Sequence, residues 1–129
     1  MRLLLDTHVF LWLQTDPERL RASTRTLLAA TENEVYLSVA SVWEMAIKTK
    51  LGRLPIPEPL DRYVPSRCDA SGVGLLSISA ASAFEVARLP DHHADPFDRM
   101  LVAQARVEGL QLVTNDREIR RYDVRLVRA

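Results

Sequence analysis

Residues 3–16 read Leu3-Leu4-Leu5-Asp6-Thr7-His8-Val9-Phe10-Leu11-Trp12-Leu13-Gln14-Thr15-Asp16, and Pro17 follows. Three apolar residues stop at a carboxylate, and an apolar segment of helical character runs on until Asp16-Pro17 breaks it. That is the pattern of a buried strand entering a helix directly.

The same alternation continues outward from this stretch. Leu20, Leu27 and Leu28 recur at helical spacing, so a helix is expected from Pro17 to about Ala30, with proline at its first position. Val35-Tyr36-Leu37-Ser38-Val39 is a second β-rich run. Ser41-Val42-Trp43-Glu44 has the form of a capping box that opens a helix ending near Gly52. Pro55, Pro57, Pro59 and Pro65 punctuate the middle, where Ile56 to Ala70 is expected to be an irregular connection around one short helix. Leu75 to Ile78 reads as a third strand, Ser79 to Arg88 as a helix ended by Pro90, and Asp91 to Ala94 as a loop. Asp95-Pro96 is a strong helix start, with the acid at the cap, and that helix should reach Gly109. Leu112-Val113-Thr114 and Val124 to Val127 complete the strands.

Short apolar strands alternating with helices predict an α/β fold: a parallel sheet of about four to five strands covered on both faces. The 129 residues suit one domain spanning 1–129 with its own core. Apolar residues make up 47% and charged residues 26%, which excludes a disordered chain. The N-terminal apolar run is too short for a signal peptide or membrane span, so a cytoplasmic protein with no membrane partner is expected. Cys68 is alone, which excludes an internal disulfide and a cysteine-rich zinc site. Basic and acidic residues number 17 each, so any attraction to nucleic acid must be local. Apart from Lys48 and Lys50 every basic side chain is arginine, which suits bidentate phosphate contacts, although genomic base composition produces the same bias.

Four acids fall at strand exits or at the helices that follow them. Asp6 follows the first strand, Glu44 lies a few residues after the second, Asp98 is in the first turn of the long late helix, and Asp116 is two residues past the fourth strand. In an open parallel sheet these positions share the carboxyl-terminal edge, where ligands bind at the reversal of strand order. Four convergent carboxylates repel unless a cation neutralises them, and all-oxygen ligation favours magnesium or manganese. A hard ion held in this way suits hydrolysis of a phosphodiester. Each acid also has a purely structural role open to it. Asp6 can cap the first helix, Glu44 can be the return half of the capping box, Asp98 can meet its helix dipole, and Asp116 can start a turn.

The segments Leu4-Leu5-Asp6-Thr7-His8, Ser41-Val42-Trp43-Glu44, Asp95-Pro96-Phe97-Asp98-Arg99-Met100-Leu101-Val102-Ala103-Gln104-Ala105 and Leu112-Val113-Thr114-Asn115-Asp116 occur in an order that resembles PIN-domain ribonucleases of the VapC toxin type. The resemblance runs from Arg2 almost to the C-terminus, and Asp95 to Ala105 is its most specific part. It implies a three-layer PIN-like α/β/α fold and a magnesium-dependent endoribonuclease in which manganese can substitute. Asp6 and Asp98 would be the principal metal ligands, with Glu44 and Asp116 completing the site directly or through water. It further implies an RNA substrate, a cognate antitoxin and a homodimer.

Around that quartet, Asp95 is expected to serve as a helix cap, and Thr7 and Asn115 to support the ligands through hydrogen bonds. A hard-metal site does not need His8, His92 or His93, so packing or loop roles are expected for them. Arg99, Arg117, Arg120 and Arg121, with Lys48, Lys50 and Arg53, can form a basic rim for phosphates or simply solvated helix faces. Trp12, Trp43 and Phe84 are expected in the core rather than in a partner groove.

Two rival classes exist. An aspartate-nucleophile phosphatase needs a second Asp two residues after the first, where His8 stands, and a receiver domain needs a late lysine, whereas none follows Lys50. A non-catalytic RNA- or protein-binding module on the same scaffold is the other.

Overall fold

A computed structural model describes residues Met1–Ala129. The strands are β1 (Arg2–Leu5), β2 (Glu34–Ser38), β3 (Val73–Leu76), β4 (Gln111–Thr114) and β5 (Leu126–Arg128). The helices are α1 (Thr7–Thr15), α2 (Ala22–Ala29), α3 (Val39–Lys50), α4 (Leu60–Ser71), α5 (Ala80–Arg88) and α6 (Pro96–Glu108), with 3-10 turns at Pro17–Arg19 and Ile119–Arg121. All strand pairings are parallel and the sheet order is β3-β2-β1-β4-β5. The chain builds outward from β1 to β3, then returns to the far side of β1 for β4. The order therefore reverses between β1 and β4, and the strand ends carrying Asp6 and Asp116 are neighbours.

Period-two alternation sends successive residues of β1 to opposite faces. Leu3 and Leu5 join Val9, Phe10, Met45 and Val64 in a core beneath α1 to α4. Leu4 joins Leu101, Val102, Ala105 and Leu112 in a second core beneath α5 and α6. Leu3, Leu4 and Leu5 have no exposed surface, and burying each contributes roughly 1.5–3 kcal/mol. That central strand is thus fixed from both sides, giving the three layers expected of a PIN-like α/β/α fold.

Several boundaries differ from expectation, each for a local reason. The helix expected from Pro17 to Ala30 is split, because Leu20 and Arg21 are extended, with φ −86° and −60° and ψ 147° and 145°; this turns Leu20 into the core. The second strand ends at Ser38, not Val39, and Ser38 rather than Ser41 caps α3: its hydroxyl accepts the Ala40 amide at 3.0 Å. The connection expected around one short helix holds the twelve-residue α4, with Pro65 inside it. Pro65 is exposed, so water can take the carbonyl that its missing N–H leaves free. β3 begins at Val73 rather than Leu75, and β5 at Leu126 rather than Val124. Cys68 is buried in α4, where burial pushes its thiol pKa up and away from thiolate reactivity.

Gly109 ends α6 in the left-handed region at φ +68°, with the Leu110 amide closing back on the Ala105 carbonyl at 2.9 Å. Nothing would obstruct a Cβ there, so only backbone strain opposes one. Gly109→Ala should lower unfolding free energy by about 1 kcal/mol in urea titration with unchanged spectra.

Candidate active site

Asp6 leaves β1 and caps α1. One of its carboxylate oxygens accepts the Thr7 amide at 2.7 Å, and the other accepts the Thr114 hydroxyl at 2.6 Å and lies 3.4 Å from His8 Nδ1. It is only 2% exposed. Burial pushes its pKa up, while His8, Thr114 and the Thr7 amide pull against that. Capping and burial in the cleft are thus one arrangement: the helix start aims the acid along the strand end.

Glu44 is buried on α3. The Thr7 hydroxyl donates to its Oε1 at 2.7 Å and lies within hydrogen-bond distance of Ser41. Lys48, one turn on, holds Oε2 at 2.7 Å, and the hydrogen bond to Glu44 raises the lysine's pKa against the effect of burial. Ser41 therefore braces Thr7 instead of capping a helix, and Glu44 is not the return half of a capping box.

Asp98 stands in the first turn of α6, which Asp95 caps through the Phe97 and Asp98 amides at 2.8 and 3.2 Å, as expected. Burial first, then the charges of Asp6, Asp95 and Glu44, push the Asp98 pKa up to about 8, with His93 opposing. Asp116, beyond β4, accepts the Glu118 and Ile119 amides on Oδ1 at 2.8 and 3.3 Å. Burial tends to raise its pKa, but the His93 hydrogen bond and those amides prevail and hold it low.

Asp6, Glu44, Asp95, Asp98 and Lys48 line one pocket of about 190 Å³. Asp116 is outside that lining but is tied to it twice. Thr114 donates to Asp6 while accepting the Asp116 amide at 3.0 Å, and His93 Nε2 lies 3.1 Å from Asp98 Oδ2 and 3.0 Å from Asp116 Oδ2. The four expected acids therefore converge.

The supporting residues differ from those expected. Thr7 braces an acid, but Asn115 makes no side-chain hydrogen bond and its neighbour Thr114 does that work. His93 lies on the expected loop, but its ring reaches in among the acids. Burial disfavours its charged ring, but the Asp116 bond and the charges of Asp98, Asp116 and Asp95 prevail and raise its pKa; its Nδ1 accepts the Asp95 amide at 3.1 Å. His92 does pack, edge-on to Tyr122, whereas His8 both packs edge-on to Trp12 and lines the pocket beside Asp6. Arg99 is not a rim residue: its guanidinium turns inward to the carbonyls of Val86, Leu89 and Pro90 and to the Tyr122 hydroxyl. Arg117, Arg120, Arg121, Lys50 and Arg53 are exposed. Trp12 does pack against the core, but Trp43 and Phe84 are exposed, with Trp43 edge-on to Phe97 at 5.1 Å.

This donor set fits a hard divalent cation. Asp98 keeps its Oδ1 free of any protein donor, and its pKa is raised first by burial and then by the neighbouring charges of Asp6, Asp95 and Glu44, which a bound cation would offset. Between the ordinary value of 3.8 and about 8, folded Asp98 keeps a proton that the unfolded chain has released, so stability present at low pH is lost as pH rises through that window. The loss should be at most about 1.4 kcal/mol per pH unit. Urea titrations in chelator should show this decline, and saturating manganese should flatten it.

A PIN domain family model matches residues 3–125, and the chain belongs to that family. Over 120 residues it is 29% identical to Ribonuclease VapC22 of Mycobacterium tuberculosis, covering 92% of this chain and 90% of that protein. Over 58 residues it is 45% identical to Ribonuclease VapC16 of the same organism, covering 45% of this chain but only 41% of that one. Its fold matches that of a chain in VapBC2 from Rickettsia felis bound to a promoter DNA fragment, with TM-score 0.72, 19% identity and 98% of each chain covered. It also matches a chain in DNA-bound VapBC from Salmonella typhimurium, with TM-score 0.67, 18% identity and coverage of 98% and 97%.

Proposed function

We propose that residues 1–129 act as one PIN-like domain, a metal-dependent endoribonuclease that is the toxin of a toxin–antitoxin pair. The observation that carries this reading is the pocket at the β1–β4 reversal lined by Asp6, Glu44 and Asp98, with Asp116 tied to it through Thr114 and His93. Similarity to two proteins named ribonucleases supplies the substrate class.

In this proposal Asp6 and Asp98 bind magnesium, or manganese in its place, with Glu44 and Asp116 completing the site directly or through water. A bound divalent ion supplies a nucleophilic water and charge stabilisation for phosphodiester hydrolysis. Thr7 and Thr114 keep Glu44 and Asp6 turned into the pocket. Lys48 neutralises Glu44, and exposed Arg117, Arg120, Arg121, Lys50 and Arg53 hold backbone phosphates on the rim.

The exposed Trp43, Ile47 and Phe84 support an assembly that covers them, a homodimer with a cognate antitoxin. No helix is long and apolar enough to cross a membrane; a cytoplasmic site of action is part of the proposal. The test is incubation of the purified chain with total bacterial RNA in magnesium, manganese or excess chelator, with mapping of the new ends. Discrete ends only with metal are expected. Cutting that survives chelation overturns the mechanism, and binding without cutting favours a non-catalytic module.

A further inference from the structure

His93 has no role in the mechanism above, yet its ring is the only group that touches both Asp98 and Asp116. Its place is built from distant parts of the chain. The Tyr122 hydroxyl accepts the amides of His92 and His93 at 3.1 and 2.9 Å, and Arg99 donates both to that hydroxyl and to the Pro90 carbonyl. Tyr122 itself is buried in the second core. The loop before α6 is thereby fastened to Tyr122, just past the 3-10 turn at Ile119–Arg121, and to the helix that carries Asp98.

The ring's two nitrogens are distinguished by their partners. Nδ1 accepts the Asp95 amide at 3.1 Å, so in the neutral ring the N–H is on Nε2, facing the two Oδ2 atoms at 3.1 and 3.0 Å. A ring held in this way donates to carboxylates and does not offer Nε2 as a metal ligand. Asp98 is left with Oδ1 free of protein donors, and Asp116 has Oδ1 committed to the Glu118 and Ile119 amides.

We propose that His93 is a positioning residue: its Nε2–H clamps Oδ2 of Asp98 to Oδ2 of Asp116, setting the separation of two acids from different elements before a cation arrives. This rests on the metal-dependent reading above. It predicts that removing the clamp weakens metal binding without removing a ligand, since groups that orient ligands typically affect affinity by about 10–100-fold.

Two substitutions separate the clamp from a loop role. Gln at 93 places an amide N–H where Nε2 stands, while Asn places a polar atom only as far as Nδ1 and can keep the Asp95 contact. In titrations of the full chain with manganese, followed by electron paramagnetic resonance, His93→Asn should weaken binding by roughly 10–100-fold, and His93→Gln should restore most of it. The metal-free parent at mildly alkaline pH should also show imidazole nitrogen shifts of a protonated Nε2 and an unprotonated Nδ1, a measurement that needs no variant. The reverse tautomer, parent-like affinity in His93→Asn, or equal loss in both variants overturns the clamp while leaving the metal reading intact. A parent that binds no manganese overturns both.

Discussion

Replacing Asp98 by Asn is expected to lower RNA cleavage by at least about a thousandfold, a loss of roughly 4 kcal/mol of transition-state stabilisation, while making the metal-free protein more stable. The two effects share a cause. Burial and the charges of Asp6, Asp95 and Glu44 push the Asp98 pKa up to about 8, so near neutral pH the metal-free fold must take up a proton there that the unfolded chain has released, at a cost in stability that Asn does not bear. Asn keeps the shape of the side chain and removes the charge. Unfolding free energy in chelator near neutral pH should rise by about 2 kcal/mol, and the parent's stabilisation by manganese should shrink. Urea titration with and without metal, beside a cleavage assay, reads both. A variant that is inactive and also less stable would mean that Asp98 is mainly a structural group.

The second large effect is expected away from the acids. Arg99→Leu should cost about 3 kcal/mol of unfolding free energy, because the side chain is only 15% exposed and its guanidinium serves the carbonyls of Val86, Leu89 and Pro90 and the Tyr122 hydroxyl. The apolar replacement removes the charged donor that ties these four acceptors together, although the Val86 and Pro90 carbonyls keep the Leu89 and His92 amides and Tyr122 keeps the His92 and His93 amides. The loop from Leu89 to Asp95 should become the first site of limited proteolysis, and cleavage should fall with it because His93 rides on that loop. A variant within about 0.5 kcal/mol of the parent would return Arg99 to the solvent-facing rim.

These two residues also mark what local sequence could convey. Asp98 was legible because Asp95-Pro96 fixes a helix start, and a helix start fixes what stands in its first turn. Leu3 to Leu5 was legible because an apolar run cut off by Asp6 fits a buried parallel strand and little else. Arg99 reads from sequence as a rim residue or part of a solvated helix face. Its direction is set by Val86, Leu89 and Tyr122, partners that no spacing rule brings together.

His93 was hidden in the same way, since its place depends on Tyr122 reaching back across 29 residues to hold the loop. Ser41 misled because a serine three residues before a glutamate is a genuine capping signal, and only the burial of Ser41 against Thr7 shows that the helix had already begun at Val39. Prolines obscured α4, because a proline inside a helix is costly in general but tolerable where its side is exposed. Trp43 and Phe84 read as core from their size, and their exposure is a property of the assembled surface rather than of any local pattern.

The most direct test is the rate of cutting at one mapped RNA site, followed across manganese concentration for the parent and for Asp6→Asn. A saturable rise for the parent, abolished in chelator and lost or shifted to much higher manganese in the variant, is the expected result. A rate independent of manganese, or the same saturation curve for both proteins, would contradict the assignment of the Asp6–Asp98 pocket as a metal-dependent nuclease site.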